Sequence, residues 1–388
     1  GGGGFSPKTP GGFVRDDSEN CDLERRLLGV YEELYRCPYS DTKNYVLEGL
    51  YQVLQSHGEE VGPAWPIVLA LFKGVAQDEE EQHVRQAFMC VQLVRNDLLS
   101  VLPVDCLQLL LTTIGSYGCQ GSDLNISLTA ITLLMNIADF FSREREALLS
   151  AFSEVGFHPG RSVSYDAPEA VSSDVQRKHP SSTVHNVDQL WLVLYHQLRL
   201  LAVDGRIEVR HSSLRSLFTT LETHSLVLEP ACWTQVVHEL LLPVLDEVRD
   251  CACTSSADEP VEKALGPAGA GVGTEQGKGG QQMMLIHHTR NTQSKQWDAT
   301  WDTALQGVLR MFQTGFKLWS SLTTALDAWA ALMAHFEEAF LKGSPKVAST
   351  AVQAIKDLIV AHAADLSAPM WDTFNAAAQR TVAAASGG

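Results

Sequence analysis

A helical period runs through this sequence almost without a break, and no other pattern competes with it. Val84, Ala87, Phe88, Val91, Val94 and Leu98 recur at i, i+3, i+4 and i+7, the spacing that gathers apolar side chains on one face of an α-helix. Leu107, Leu110, Leu111, Ile114 and Tyr117 repeat it, as do Ile126, Ala130, Leu133, Leu134, Ile137 and Phe141. Further stripes start at Trp191, Leu214, Trp301, Trp329 and Val347. The longest runs from Trp233 through Val236, Val237, Leu240, Leu241 and Val244 to Val248. Pro243 lies inside it, deletes one backbone hydrogen bond and predicts a kink. No segment alternates apolar and polar residues for long enough to build a sheet.

The stripes are short, and turn residues such as Ser56-His57-Gly58, Ser122-Asp123 and Val203-Asp204-Gly205 separate them. Second helices of hairpins are expected to start at Asn44-Tyr45-Val46, His83-Val84-Arg85 and Leu124-Asn125-Ile126, which recur about every 40 residues, the period of HEAT and armadillo units. Glu208-Val209-Arg210 and Lys346-Val347-Ala348 are two more such starts. The expected fold is all-α, a HEAT/armadillo-like α-solenoid superhelix of roughly eight to ten hairpins. Two long flexible loops interrupt it. Residues 158–186 are rich in Ser, Pro and His, and residues 251–282 hold seven glycines and almost no large apolar side chain. The expected division is a disordered lead at 1–20, helical repeats at 21–150, an insertion at 151–187, repeats at 188–250, a Gly-rich loop at 251–283, repeats at 284–380 and a tail at 381–388.

Charge narrows the function. Lys and Arg number 29 against 46 Asp and Glu, a net charge of −17. Such a balance repels phosphate backbones and anionic headgroups, so nucleic acid is not an expected partner. Eight cysteines at irregular spacing, with no CxxC, suit a reducing compartment better than a disulfide framework. No secretory leader is visible, and no apolar run reaches the length of a membrane span. The glycine-leading start and the Ala/Ser/Gly tail suggest a piece of something longer.

No motif carries a catalytic constellation. Around Gly277-Lys278 a phosphate loop would need glycine where Val272 stands and Ser or Thr where Gly279 stands. His238-Glu239 opens like a zinc-protease helix but lacks the second histidine. Nothing reads as a nucleophile elbow or a Ser/His/Asp set, and the eight tryptophans suit core positions. The chain is therefore not expected to be an enzyme, and no cofactor or metal is expected.

Certain segments nonetheless resemble a family. Asp123-Leu-Asn-Ile-Ser-Leu-Thr-Ala-Ile-Thr-Leu-Leu-Met-Asn-Ile-Ala-Asp139 is similar to a signature of the Mon-two (Ysl) proteins, with Met135 where the family usually has Trp. These are helical-repeat Golgi trafficking scaffolds related to the BIG and GBF exchange factors for Arf GTPases. Gly205–Phe218 and Trp233–Arg249 resemble the downstream homology region shared with those factors, and Leu285–Arg290 with Lys295-Gln-Trp297 resembles the Mon-two branch. The resemblance runs from about residue 40 to residue 360 and does not include the catalytic exchange domain. It implies a non-catalytic scaffold in vesicle traffic, cytoplasmic and peripheral at trans-Golgi network and endosome membranes, reached through partners. Those partners would be a Dopey-type protein and Arf-like GTPases. An importin-like cargo carrier is the alternative function. Possible partner-facing residues are His287, His288, Arg290, Trp297, Asp123, Asn125 and Asp139, with helix capping the competing role for each.

Overall fold

The computed structural model describes residues 17–154, 186–225, 228–255 and 292–386. His287, His288 and Arg290 lie outside these, as do most of the two expected loops. The described residues are almost wholly helical and contain no β-strand run. The chain divides into two compact units, 1–194 and 195–388, with the boundary inside one helix.

The first unit holds α1 (Asp17–Tyr35), α2 (Ser40–His57), α3 (Trp65–Val75), α4 (Glu81–Leu93), α5 (Leu107–Cys119), α6 (Leu124–Arg143), α7 (Arg145–Glu154) and the first half of α8 (Val187–Leu201). Packing is local: α1 on α2 and α3, α2 on α4, α3 on α4 and α5, α5 on α6. Each of α1 to α6 therefore meets a chain neighbour and a helix next but one, as the apolar stripes require. Phe72, Val91, Leu110, Ile114, Leu134 and Phe141 form the core. Buried hydroxyls tie α5 to α3, with Tyr117 Oη donating to the Phe72 carbonyl at 2.8 Å and Thr113 Oγ1 to that of Leu69 at 3.3 Å. Burial pushes the Cys90 and Cys106 thiols up to about 12, so both act as core hydrophobes.

The second unit holds the rest of α8, then α9 (Ile207–His224), α10 (Pro230–Gln235), α11 (Leu242–Thr254), α12 (Gln293–Thr314), α13 (Phe316–Trp319), α14 (Ala325–Lys342), α15 (Pro345–His362) and α16 (Ala368–Ser386). Two rows emerge from the contacts. One row is α9–α12–α15 and the other α11–α14–α16, joined by α11 on α12 and α14 on α15. Tryptophans fill the interior: Trp301 and Trp329 are buried, and Trp319 Nε1 donates to the Phe312 carbonyl at 2.7 Å. In the whole chain six of eight tryptophans are buried, which matches their reading as core residues.

Several expectations shift at the edges. The helix expected to start near Asn44 begins at Ser40, because its first turn is polar and does not register as an apolar stripe. Helix α1 begins inside the segment assigned to the lead. Helices α7, α11 and α16 run on to Glu154, Thr254 and Ser386, past the expected boundaries. The expectation that no apolar run reaches a membrane span needs correction. The 20-residue α6 is long and apolar enough by length and composition. It is a core helix: Ile126, Ala130, Leu134, Ile137 and Phe141 are buried against protein.

The Pro243 kink takes a specific form. Helix α10 widens into a π turn over Val236–Leu241 and runs without a break into α11, and the Glu239 carbonyl, four residues before Pro243, accepts instead from Arg199 Nη1 at 2.8 Å. A second π turn covers Val94–Leu98 after α4 and drives Leu98 against Gly58, where a Cβ would overlap the leucine methyls.

Candidate interaction groove

The α9–α12–α15 row turns its apolar stripes inward and leaves polar positions outward. Those positions line an open groove of about 680 Å³, formed by Arg215 of α9, Gln306, Arg310 and Gln313 of α12, and Gln353 and Asp357 of α15. Arg310 is paired with Glu222, and Gln353 Nε2 donates to Asp357 Oδ1 at 2.8 Å. Both charge signs and several amides are therefore available together. Such a lining can hydrogen-bond an extended or helical peptide and presents no single-sign field for phosphate.

Two buried polar clusters hold the row rigid. Asp302 on α12 accepts from Thr350 Oγ1 at 2.5 Å and Gln306 Nε2 at 3.1 Å, and pairs with Lys346 Nζ at 2.8 Å. Burial would raise its carboxyl, but the bonds from Lys346, Thr350 and Gln306 outweigh that and hold it below the usual range. Arg210 on α9 is 1% exposed. Its Nη1 donates to the carbonyls of Asp204 and Gly205 at 2.8 and 3.0 Å, and its Nε to Thr300 Oγ1 at 3.0 Å. Its guanidinium carbon sits 3.9 Å from the Trp297 ring centre, a cation–π stack. Burial pulls the guanidinium down to about 10, partly opposed by Asp204.

The sequence-predicted residues fall in different places. Trp297 is half-buried under Arg210 beside this row, so it braces α12 against α9. Asp123 caps α6, its Oδ1 accepting from the Asn125 backbone N–H at 2.8 Å and its Oδ2 from Arg85 Nε at 3.1 Å. The turn before it folds around Gln120, whose side chain accepts from the backbone N–H groups of Ser122 and Asp123 and donates to Ser127 Oγ. Asn125 and Asp139 are exposed on α6. Trp297 belongs to the second unit and the other three to the first.

One cluster escaped the sequence reading. His83, 0% exposed, lies with Nδ1 3.3 Å from Asp78 Oδ1 and Nε2 3.3 Å from Ser40 Oγ. This is the connectivity of a Ser/His/Asp relay, assembled from residues about 40 positions apart. Its chemistry is that of a clasp. The Ser40 hydroxyl donates to Glu80 Oε2 at 2.6 Å, so its proton is aimed away from the imidazole. Asp78 is already engaged by Tyr35 Oη at 2.6 Å, Lys43 Nζ at 2.9 Å and the Glu80 N–H at 3.0 Å. Burial would raise the Asp78 carboxyl, but these donors together hold it well below the carboxylate range. Burial and the neighbouring carboxylate push the Tyr35 phenol up.

A pH dependence follows. A carboxyl depressed in the folded state stabilises above its unfolded pKa of about 3.9, and that contribution drains away as pH falls below it. Urea unfolding of the first unit is expected to lose stability steeply below about pH 4. Asp78→Ala is expected to lower neutral-pH stability by about 2–3 kcal/mol and to flatten that acid slope. An unchanged slope would remove Asp78 as its source.

Two family descriptions divide the chain. "C-terminal region of Mon2 protein" matches residues 96–379, and "Mon2/Sec7/BIG1-like, HDS" matches residues 13–93. The chain belongs to the Mon2 family. "Protein MON2 homolog" of Xenopus laevis is 34% identical over 88% of this chain and 18% of the relative. The Homo sapiens protein of the same name is 33% identical over 88% of this chain and 18% of its own. "Brefeldin A-inhibited guanine nucleotide-exchange protein 1" of Arabidopsis thaliana is more distant, 25% identical over 60% of this chain. The chain spans less than a fifth of the length of these Mon2 relatives. The HDS match falls at residues 13–93.

Proposed function

We propose that this Mon2-family chain is a non-catalytic HEAT/armadillo-type α-solenoid scaffold for vesicle traffic between endosomes and the trans-Golgi network. The observation that carries the reading is the open, mixed-polarity groove along α9–α12–α15, braced from below by Asp302 and Arg210. Its rigid floor and amide-rich lining suit protein partners, and the family relationship points to trafficking. The chain would work at cytoplasmic membrane surfaces through those partners, a Dopey-type protein and Arf-like GTPases, since its own net charge of −17 disfavours anionic lipid.

The test is a paired pull-down from cells with the wild-type chain and an Arg215→Glu/Gln313→Glu variant. The reading expects a Dopey-type protein or an Arf-like GTPase on the wild type, reduced at least fivefold on a variant with unchanged thermal stability. Recovery of importin-type cargo and Ran without Golgi proteins would overturn it. Stimulated nucleotide release from an Arf-family GTPase by the purified chain would overturn the non-catalytic part.

A further inference from the structure

Helix α1 carries two apolar faces. Leu28 points inward, buried where α1 packs on α2 and α3, and Tyr35 Oη reaches Asp78 from the same side. A second stripe, Leu23, Leu27, Val30 and Leu34, is exposed at 48%, 61%, 52% and 42%. At 100° per residue these four fall within about 60° of arc, roughly a quarter-turn or more from Leu28. Leu27, Val30 and Leu34 of this stripe, with Leu28 and Tyr31, form one wall of a groove of about 690 Å³, closed by Val53 and His57 of α2 and by Val61. Glu24 and Glu60 also line it; Glu24 Oε1 accepts from the Gly62 and Ala64 backbone N–H groups, and Glu60 lies 3.5 Å from His57 Nδ1. A helix apolar on two sides is a helix built to be covered on two sides. By contrast, the exposed positions of α16 are mostly alanine and polar, with Val382 the large exposed apolar one.

We infer that the α1–α2 groove receives an amphipathic helix from the rest of a Mon2-length polypeptide, seating an aliphatic ridge on Leu27, Val30 and Leu34. The relatives supply the length: 88% of this chain matches 18% of the Xenopus protein, leaving more than four-fifths of that polypeptide outside the match. The acidic rim of Glu24 and Glu60 selects an incoming helix with Lys or Arg flanking its aliphatic stripe. Helix α1 is thus an internal joint of a continuous helical array, covered by a neighbour on each side.

The experiment is maleimide labelling of Leu27→Cys, read by peptide mass spectrometry. It compares the 388-residue chain with a chimera in which this chain replaces the matched segment of the Xenopus relative. Val382→Cys serves as an exposed control and Leu110→Cys as a buried one. The inference expects Leu27→Cys to label at least tenfold more slowly in the chimera, with both controls unchanged. A Leu27→Lys/Val30→Lys chimera should restore fast labelling at Leu34→Cys, with the buried control still silent. Equal rates for Leu27→Cys in the two proteins would overturn it. Slow labelling in the 388-residue chain that becomes fast on dilution to monomer would assign the groove to a second copy instead. Slow labelling relieved by deleting residues 1–16 would assign it to the chain's own leading segment.

Discussion

Replacing Arg210 by alanine is expected to lower the stability of residues 195–388 by about 3–4 kcal/mol. Among the described residues no carboxylate forms an ion pair with the buried guanidinium. Two backbone carbonyls, a threonine hydroxyl and an indole face receive it, and its Nη2 has no hydrogen-bond partner among the described residues. Truncation strands the Asp204 and Gly205 carbonyls and opens a void against Trp297. Arg210→Lys should recover less than half of the loss. A single ammonium cannot reach both carbonyls and Thr300 while lying flat on the ring. Denaturant unfolding with hydrogen exchange on α9 and α12 measures both variants. A Lys variant as stable as the parent would show that charge alone matters there, and not the planar fork.

Gly307→Ala is the second large effect, and its sign runs against helix propensity. Alanine in place of glycine inside an exposed helix should stabilise by about 1 kcal/mol. Here the added Cβ would overlap the ring of Phe218, which α9 packs onto α12 at this glycine. Overpacking of a buried ring typically costs about 1–3 kcal/mol, so a net loss of about 2 kcal/mol is expected. Phe218→Leu should cost stability alone yet recover more than half of the Gly307→Ala loss in the double variant. Additive losses would place the strain elsewhere. The same substitution should disturb the groove, since Phe218 and Gly307 belong to its floor.

The helical stripes were legible in the sequence because burial selects residue type. Phe88, Ile114, Leu134 and Phe141 could be assigned inward from spacing alone, and all four are buried. Polar first turns were not legible in the same way: Ser40 and Asp41 open α2 without any apolar signal. The groove was harder still. Gln306, Gln313 and Gln353 look like any solvated helix face, and spacing does not distinguish water from a partner. Arg210 sits in an expected hairpin start, Glu208-Val209-Arg210, but its partner Trp297 belongs to another helix far along the chain. The Ser40–His83–Asp78 clasp needs α2, α4 and the turn before α4 placed together, which no local pattern encodes.

The π turn over Val236–Leu241 has an evolutionary consequence. Widening one turn absorbs a single extra residue without breaking the helix, so the apolar spacing steps by one across the turn while the side chains of α11 beyond it keep facing α12 and α14. Removing one residue from this turn therefore leaves those faces unchanged and restores a plain α-helical turn. Pro243 directly after it then acts as a ratchet, since the wide turn accommodates the proline and a straight α-helix would not.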